Sequence, residues 1–301
     1  RRVLFRSMKK ALVTGATGFI GYHLCKRLYQ DGYFVIAVGR NDENTPFCHK
    51  LYREPFDNLP FNSFKEIDIC FHQAANNNTL ESSLDIMQQA NVIEPSNLFR
   101  NLLQQNNCKN FVYASSCSIY GNQQTPFVET KTPAKPLNSY AVSKLNFENF
   151  ANDFAIENNV KAIGLRYSNV YGPNEEHKGK RASMIHQIIQ KCKDNKPIEL
   201  FENGEQLRDW IYVDDVIDAN IKASSCNDSG IFNVGYGRPY SFNYLTNTII
   251  GMTHSSSKIK YIACNFSDKY QYHTAASMNK SNKILDFYPE ISASEGIRMM
   301  L

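Results

Sequence analysis

The chain has 301 residues, of which 42% are hydrophobic, enough to bury the core of one large domain or of two unequal ones. Its formal charge of +4 at pH 7 falls to +1 when the three arginines of residues 1–7 are set aside as a non-native or disordered leader before Met8. This balance excludes nucleic acid and anionic membranes as partners, and no apolar run approaches the ~20 residues that span a bilayer, so we expect a soluble cytoplasmic protein.

A glycine-rich turn follows the first predicted strand, which ends at Thr14. Glycines recur at three-residue spacing, at Gly15, Gly18 and Gly21, and a helical pattern continues from Phe19. Gly15 allows a sharp turn, Gly18 lets the backbone approach phosphate and Gly21 lets helix and strand pack closely, while the helix N-terminus attracts an anion. The turn therefore predicts a dinucleotide pyrophosphate site. The residues expected to bind there are Gly15, Thr17, Gly18, Phe19, Ile20 and Gly21.

Further apolar runs alternate with helical patterns, which predicts an α/β fold with a Rossmann-type, doubly wound parallel sheet. The runs are Phe34–Val38, Ile67–His72, Phe111–Ser115 and Ala162–Arg166. The segment 41–66 is short and rich in Pro and Asn, so we expect an abbreviated third strand and helix there. Residues 8–170 are predicted to form the NAD(P)-binding domain. Residues 171–301 are predicted to form mainly a smaller, partly discontinuous α/β substrate domain, from which about 205–235 return to the first domain.

The end of the second strand bears on the choice of dinucleotide. Folds that bind NAD usually place an acidic residue here, which accepts a hydrogen bond from the ribose 2′-hydroxyl. In this chain Gly39 leaves space and Arg40 brings positive charge. This favours NADP as the cofactor. NAD stays possible if Arg40 is an ordinary surface arginine.

A tyrosine and a lysine, Tyr140 and Lys144, lie four residues apart on one face of a predicted helix. Tyrosine titrates near ~10 and is a poor base at neutral pH, but a nearby ammonium and the charge of the nicotinamide stabilise its phenolate. Lys144 can do this while also holding the nicotinamide ribose. The spacing alone is common on exposed helices. The tyrosine-lysine pair is more informative here because Ser116 follows an apolar strand about two dozen residues upstream.

Together the glycine turn, the segment Ala114–Gly121 and the Y-x-x-x-K pair resemble the extended short-chain dehydrogenase/reductase family, in its nucleotide-sugar branch. The resemblance implies that Ser116 hydrogen-bonds a substrate oxygen. It also implies that His72, Ala74 and Ala75, which form an H-x-A-A segment, lie along the cofactor. Taken alone, His72 would more often be a packed strand-end histidine.

The resemblance continues in the second half of the chain. Arg166–Pro173 is similar to an R-Y-x-N-V-Y-G-P segment of that family, which implies that Asn169 contacts the sugar nucleotide. Arg208–Val216 is similar to an R-D-[FW]-x-[YH]-V-x-D-V segment whose arginine binds the diphosphate. A planar guanidinium suits phosphate because it donates two parallel hydrogen bonds. Asp214 and Asp215 are expected to cap the helix that follows.

One loop resembles a narrower group, the ADP-glyceromanno-heptose 6-epimerases. Their H-K-G motif matches residues 177–179, and the stretches around Phe201 and Tyr270 are also similar, so the likeness covers nearly the whole chain from Met8. It implies that Phe201, Tyr270 and Lys178 contact the substrate, and that Lys178 and Tyr140 act as bases on opposite faces of the reacting carbon. The alternative for Lys178 is a phosphate-facing or solvated loop lysine.

The resulting hypothesis is a nucleotide-sugar epimerase whose tightly bound NADP transiently oxidises a nucleotide-diphosphate sugar to a keto-sugar and re-reduces it on the other face. No metal is expected, because the cysteines form no C-x-x-C pair and have no histidine at ligand spacing. A homo-oligomer is expected from the family, with the helix of Tyr140 at the contact.

Several alternatives to this hypothesis stay open. They are a UDP-sugar 4-epimerase, an NADPH-dependent keto-sugar epimerase-reductase that uses Cys117 and His177, and a non-catalytic NADP-binding sensor. Sensors commonly lose the tyrosine and lysine that this chain keeps. A dehydratase is disfavoured because Ser116 is followed by Cys117 and Ser118 instead of a carboxylate.

Overall fold

The computed structural model describes residues 8–40, 45–79, 81–265 and 270–301, so the predicted leader at residues 1–7 lies outside the described residues. Seven strands form the large sheet. They are β1 Lys10–Thr14, β2 Phe34–Val38, β3 Lys50–Tyr52, β4 Ile69–His72, β5 Asn110–Ser116, β6 Lys161–Tyr167 and β10 Gly230–Val234. Five more strands form two small sheets. They are β7 Asn169–Tyr171, β8 Ile198–Phe201, β9 Leu207–Tyr212, β11 Pro239–Ser241 and β12 Ile259–Ile262.

Helices separate most of these strands. In the first half they are α1 Phe19–Gln30, α2 Phe61–Phe64, α3 Leu84–Gln88, α4 Glu94–Asn106 and α5 Ser139–Asn158. In the second half they are α6 Met184–Lys193, α7 Val213–Ser225, α8 Phe242–Thr253, α9 Asn279–Leu285 and α10 Ala293–Met300. A π-helical turn, Gln89–Ile93, joins α3 to α4, and short 3₁₀ turns occur at Phe56–Asn58, Cys117–Tyr120 and Glu176–Arg181.

The large sheet has the order β10-β6-β5-β4-β1-β2-β3, and all of its neighbouring strands run parallel. The predicted Rossmann-type doubly wound sheet is therefore confirmed. Chain order reverses at β1, because β2 and β3 lie on one side of it and β4 lies on the other. Parallel sheets bind ligands at such a reversal, outside the carboxyl ends of the strands. The glycine turn follows β1 and the H-x-A-A segment ends β4, so both reach this crevice.

Helices cover both faces of the large sheet, and each face has its own apolar core. Alternate residues of β1 show the division, since Ala11 and Val13 belong to one cluster and Leu12 belongs to the other. The first cluster contains side chains of α1 and α7. The second contains side chains of α4 and α5, with Phe99 and Phe147 fully buried in it. This two-sided burial fixes α5 against β5 and so fixes the position of Tyr140 and Lys144.

Strand β3 is three residues long and half-exposed, and only a 3₁₀ turn and the one-turn helix α2 follow it before β4. This matches the abbreviated third strand and helix predicted there. Residues 41–44 of that stretch lie outside the described residues.

The two small sheets stand beside the crevice of the large one. Strand β9 lies between β7 and β11, pairing parallel with the first and antiparallel with the second, while β8 pairs with β12 in parallel. Strand β10 then joins the large sheet beside β6. None of the helices in the described part of the chain is long and apolar enough to cross a membrane.

Candidate active site

The glycine turn after β1 is packed too tightly for side chains. Gly15 has a φ of +65°, and a Cβ on it would lie 2.7 Å from the backbone nitrogen of Ala74. A Cβ on Gly21 would lie 2.0 Å from the carbonyl oxygen of Gly15. Helix α1 begins after Gly18 with no side-chain cap, so its first N–H groups stay available to an anion. The predicted cradle thus has the backbone that a pyrophosphate needs.

A cavity of about 640 Å³ opens above this turn. The predicted cofactor residues that line it are Gly15, Thr17, Gly18, Phe19, Ile20, Gly21, Arg40, Ala74 and Ala75. Asn76, Glu94, His177 and Lys178 line it as well. Because it combines a backbone cradle with a long groove along the sheet reversal, we call it the dinucleotide cavity.

His72 lies beneath this cavity and does not line it. Its ring is buried and packs within 5.5 to 6.0 Å of Phe56, Phe99 and Phe147, measured between ring centres. Burial, with a contribution from the charge of Lys144, lowers the pKa of His72 to about 3, so the ring is neutral. Its Nδ1 lies 2.8 Å from the hydroxyl of Thr14, which accepts a hydrogen bond from the backbone of Ala74 at 3.2 Å. The histidine side chain therefore supports the cavity wall indirectly.

Arg40 lies at one end of the dinucleotide cavity. Its guanidinium forms an ion pair with Glu94 and lies 5.0 Å from the centre of the Phe56 ring. Gly39 is required beside it, because a Cβ there would lie 2.2 Å from the hydroxyl oxygen of Thr17. The space expected at Gly39 is thus filled by Thr17, and the positive charge expected at Arg40 is shared with a carboxylate.

Helix α5 places the tyrosine and lysine at the end of β5. Asn138 caps the helix by accepting from the backbone nitrogen of Ala141 at 2.9 Å. Lys144 is buried one turn later and donates from Nζ to the carbonyl of Ala114 at 2.9 Å. Burial lowers the pKa of Lys144 to about 8, and the charge of Glu148 partly opposes this. The lysine is therefore held rigidly between helix and sheet.

The structure brings Ser116 and Tyr140 together. Burial raises the pKa of Tyr140 to about 12, and a hydrogen bond with Ser116 partly counteracts that rise. The Nζ of Lys144 lies 5.8 Å from the centre of the tyrosine ring. The predicted stabilisation of the phenolate depends on Lys144 together with the charge of a bound nicotinamide, and it stays a prediction. In the protein alone, desolvation of the phenol sets the direction of the pKa shift.

A second cavity, of about 620 Å³, lies against the small sheets. The predicted substrate residues that line it are Asn169, Lys178, Phe201, Arg208 and Tyr270. Arg208 is the most informative of them, because its side chain is buried, with its guanidinium 4.8 Å from the ring centre of Tyr270. Burial lowers the pKa of Arg208. Its Nη1 donates to the carbonyl of Leu207 at 2.9 Å, and no carboxylate among the described residues pairs with it, so its remaining donors suit an anionic ligand. We call this space the substrate cavity.

Lys178 lines both cavities and therefore marks where they meet. Its Nζ donates to Glu175 at 2.6 Å and lies 4.6 Å from the ring centre of Phe19. Ser116 and Tyr140 lie at the carboxyl end of β5 and the start of α5, on the same edge of the large sheet as the glycine turn. The two cavities adjoin at this lysine. A dinucleotide bound in one cavity could therefore react with a second nucleotide bound in the other.

Comparison with known proteins agrees with this geometry. Residues 11–235 match the model of the NAD dependent epimerase/dehydratase family. The chain belongs to this family. It is 34% identical to the ADP-L-glycero-D-manno-heptose-6-epimerase of Brachyspira hyodysenteriae over 307 aligned positions, which cover 95% of each chain. The predicted membership of the epimerase branch is thereby confirmed.

Several solved structures share the fold over nearly the whole chain. The ADP-L-glycero-D-manno-heptose-6-epimerase of Helicobacter pylori is 31% identical, with a TM-score of 0.84 and coverage of 97% of this chain and 94% of that one. The UDP-glucose 4-epimerase of Thermotoga maritima, solved with UDP-glucose, is 26% identical, with a TM-score of 0.89 and 97% coverage of both chains. MoeE5, solved with UDP-glucuronic acid and NAD, is 28% identical, with a TM-score of 0.88 and 97% coverage of both.

Sequence reasoning missed one buried polar residue of this epimerase-family site, Asn91. It lies in the π-helical turn before α4 and donates to the hydroxyl of Ser143 at 2.9 Å. It also bonds both backbone groups of Asn76, donating to the oxygen at 3.0 Å and accepting from the nitrogen at 2.7 Å. Asn91 therefore ties the dinucleotide cavity to α5 between Tyr140 and Lys144. A single π-turn leaves no periodic pattern in the sequence that would have marked it.

The expectation that Asp214 and Asp215 cap a helix is wrong. Helix α7 starts after Tyr212 without a side-chain cap. The carboxylate of Asp215 instead accepts from the backbone nitrogens of Glu290 and Ile291, at 3.0 and 3.1 Å. These partners lie 75 and 76 residues away, so the acid fastens the segment before α10 to the core.

Proposed function

We propose that this protein is an NAD(P)-dependent nucleotide-sugar epimerase similar to the ADP-L-glycero-D-manno-heptose-6-epimerases. The family match and the 34% identical relative both support the predicted enzyme class. The structural observation that best supports the proposal is that Lys178 lines both the dinucleotide cavity and the substrate cavity. A sugar held in the second cavity would reach the nicotinamide end of the first at this lysine.

The residues present fit a nicotinamide dinucleotide. The glycine turn leaves no space for a Cβ at Gly15 or Gly21, and the uncapped start of α1 offers N–H groups to a pyrophosphate. When bound, the dinucleotide supplies the oxidation and re-reduction of one sugar carbon, without net redox change. We propose NADP over NAD because Arg40 lies at the cavity end where a 2′-phosphate would be placed.

The chain's own residues would bind and move protons around the sugar. Arg208 would hold the nucleotide diphosphate, and Asn169, Phe201 and Tyr270 would place the rest of the substrate in the second cavity. Ser116 would orient the reacting oxygen together with Tyr140.

Tyr140 would take the proton of a sugar hydroxyl. Since its pKa is about 12 in the protein alone, this step needs added positive charge near the phenol, which an oxidised nicotinamide bound beside Lys144 would supply. When the keto-sugar presents its other face, Lys178 would donate a proton to its oxygen, leaving an epimer in which a single centre is inverted. The proton on Tyr140 would then return to Lys178 by way of solvent.

A UDP-sugar 4-epimerase is the second candidate, because the UDP-glucose 4-epimerase of Thermotoga maritima has a TM-score of 0.89 against this chain. The epimerase-reductase alternative finds less support. The thiol of Cys117 is buried and donates to the carbonyl of Arg166 at 3.3 Å, and burial raises its pKa to about 12. Such a thiol does not suit proton transfer to a sugar. The sensor alternative is weakened because Tyr140, Lys144 and Ser116 lie close together.

We infer that the protein is a homo-oligomer in which α4 and α5 form a contact between subunits. The outer side of this helix pair has a groove of about 420 Å³, where Arg100 lies 4.9 Å from the ring centre of Phe150. Ile156 on α5 is 74% exposed. Light scattering after size exclusion tests this inference. Wild type should have at least twice the mass of the chain, and Ile156→Glu should shift the protein toward the monomer, whereas a monomeric wild type would contradict it.

The proposed function is tested by incubating purified protein, without added NADP(H), with a panel of ADP-, GDP-, UDP- and dTDP-sugars. Mass spectrometry first identifies any cofactor released from the protein. We expect bound NADP and conversion of an ADP-heptose to its epimer. Conversion of a UDP-hexose instead would favour the second candidate. Turnover that requires stoichiometric added NADPH would establish a reductase, and the absence of turnover with any sugar would overturn the epimerase proposal.

A further inference from the structure

The carboxylate of Glu175 is fully buried in the loop between β7 and α6. One oxygen accepts from the hydroxyl of Ser183 at 2.6 Å and from the backbone nitrogen of Gly172 at 3.3 Å. The other accepts from the backbone nitrogen of Ser183 at 2.7 Å and from Nζ of Lys178 at 2.6 Å. Four donors from three residues therefore converge on this carboxylate, and neither oxygen is left without a partner.

A buried carboxylate costs several kcal/mol of desolvation unless cations and donors compensate for it. Lys178 provides the positive charge among its four donors, and the lysine side chain is itself only 17% exposed. The other face of the ammonium lies 4.6 Å from the ring centre of Phe19, at the first turn of α1. The ammonium is thus held between a carboxylate and an aromatic ring, at the boundary of the dinucleotide and substrate cavities.

Glu175 also connects this lysine to helix α6. Ser183 caps α6, accepting from the backbone nitrogen of His186 at 3.1 Å while bonding Glu175. Helix α6 supplies Met184 and Gln187 to the wall of the substrate cavity. The position of the ammonium and the position of that wall are therefore set by the same carboxylate.

We infer that Glu175 is a positioning residue that acts through Lys178. It fixes the position of the lysine Nζ at the junction of the two cavities, and without it the long side chain would turn toward solvent. The inference rests on the proposed function in one respect, namely that Lys178 acts on the sugar nucleotide. Glu175 itself touches neither cavity and takes no part in proton transfer to the substrate.

Glu175→Gln is the informative substitution, because glutamine keeps the volume but presents an amide group, without the negative charge, to the ammonium. Glu176→Gln is the matched control, since Glu176 is the adjacent acid and is exposed. We expect Glu175→Gln to lower kcat about tenfold or more with little change in KM, and Glu176→Gln to leave both unchanged. Glu175→Asp, which keeps the charge, should restore part of the loss.

A double-mutant cycle separates positioning from a merely structural role. If Glu175 acts through Lys178, then Glu175→Gln causes no further fall of kcat once Lys178→Met is present. Losses that multiply in the double variant would overturn the inference, because they would mean that Glu175 acts independently of the lysine. Thermal unfolding of each variant shows whether the fold persists.

Crystal structures of wild type and Glu175→Gln give a readout that needs no turnover. We expect Nζ of Lys178 to leave the ring of Phe19 in the variant, while α6 stays in place because the amide oxygen of glutamine can still accept from Ser183. An ammonium that keeps its position without the carboxylate would overturn the inference. A wild type that is inactive on every sugar would overturn the proposed function alone, because the displacement of Lys178 would still decide the role of Glu175.

Discussion

The carboxylate of Glu148 accepts two hydrogen bonds from the guanidinium of Arg166, at 2.9 Å from Nε and 2.7 Å from Nη2, inside the protein core. Glu148 is 4% exposed and Arg166 is 8% exposed. Burial acts to lower the pKa of Arg166, but the hydrogen bonds and charge of Glu148 outweigh it, so the pKa is raised. Since Glu148 lies one turn beyond Lys144 on α5, the pair also anchors the helix that carries the candidate catalytic residues.

Glu148→Gln is therefore expected to lower the free energy of unfolding by about 3–5 kcal/mol, because it leaves a buried guanidinium without its countercharge. Denaturant titration measures this change. Glu66→Gln, at an exposed glutamate outside the α4/α5 groove, is the control and should change stability by less than about 0.5 kcal/mol. Equal small effects of both substitutions would show that the buried pair contributes nothing to the fold.

The role of Lys144 should depend on pH, since burial sets its pKa at about 8. The lysine is charged below that pH and loses its proton as the pH rises through it, so its support of the Tyr140 phenolate falls. The ratio of kcat between wild type and Lys144→Met is expected to be largest below pH 8 and to decrease above it. Rates at saturating substrate from pH 6 to 10 measure the ratio. A ratio that stays constant across that range would exclude an electrostatic role for the ammonium.

Arg208 should bind the anionic part of the substrate. Arg208→Met is expected to raise the Kd of a nucleoside diphosphate by about tenfold or more, because a charge-assisted hydrogen bond contributes about 1.5–3 kcal/mol. Thermal stability should be unchanged or higher, since the variant no longer buries an unpaired guanidinium. Calorimetry with ADP and UDP measures the affinity without requiring turnover. Arg238→Met removes an exposed cation and is the control; a similar loss there would indicate nonspecific charge attraction.

The sequence was most informative where structure depends on neighbours in the chain. The glycine turn was predictable because Gly15, Gly18 and Gly21 constrain a single strand-turn-helix unit, and the parallel sheet followed from the repetition of such units. The helix of Tyr140 was predictable for the same reason. These local patterns also carried the family resemblance, and with it many of the residues that line the two cavities, although Ser116, Tyr140 and Lys144 line neither.

The features that the sequence did not predict depend on partners far along the chain. Asn91 bonds Ser143, 52 residues later, and Asp215 holds a backbone segment 75 residues away. Contacts between residues so far apart in the chain leave no periodic pattern in the sequence. In the protein alone the pKa of Tyr140 is raised, and the sequence could not show this because spacing tells which charge is near the phenol but not how much water burial removes. Glu175 lies in the loop that carries the H-K-G motif, but its burial could be known only from the fold.

Arg40 offers a test of cofactor choice that does not depend on turnover. Its guanidinium is 49% exposed, lies against Phe56 and is paired with Glu94 at one end of the dinucleotide cavity. A 2′-phosphate placed there would compete with Glu94 for the guanidinium, because both are anions seeking the same donors. We therefore expect Arg40→Ala to weaken NADP binding about tenfold and to change NAD binding by less than about twofold.

Glu94→Gln should have the opposite effect, strengthening NADP binding while leaving NAD binding unchanged, because it removes the competing anion and frees the guanidinium. Fluorescence titration of protein stripped of cofactor measures both dinucleotides on the same sample. If Arg40→Ala weakened NAD and NADP equally, the arginine would bind a group that both share, such as the pyrophosphate or adenine. If neither variant altered the preference, selection of the 2′ position would lie with other residues, and the proposal of NADP over NAD would lose its basis in Arg40.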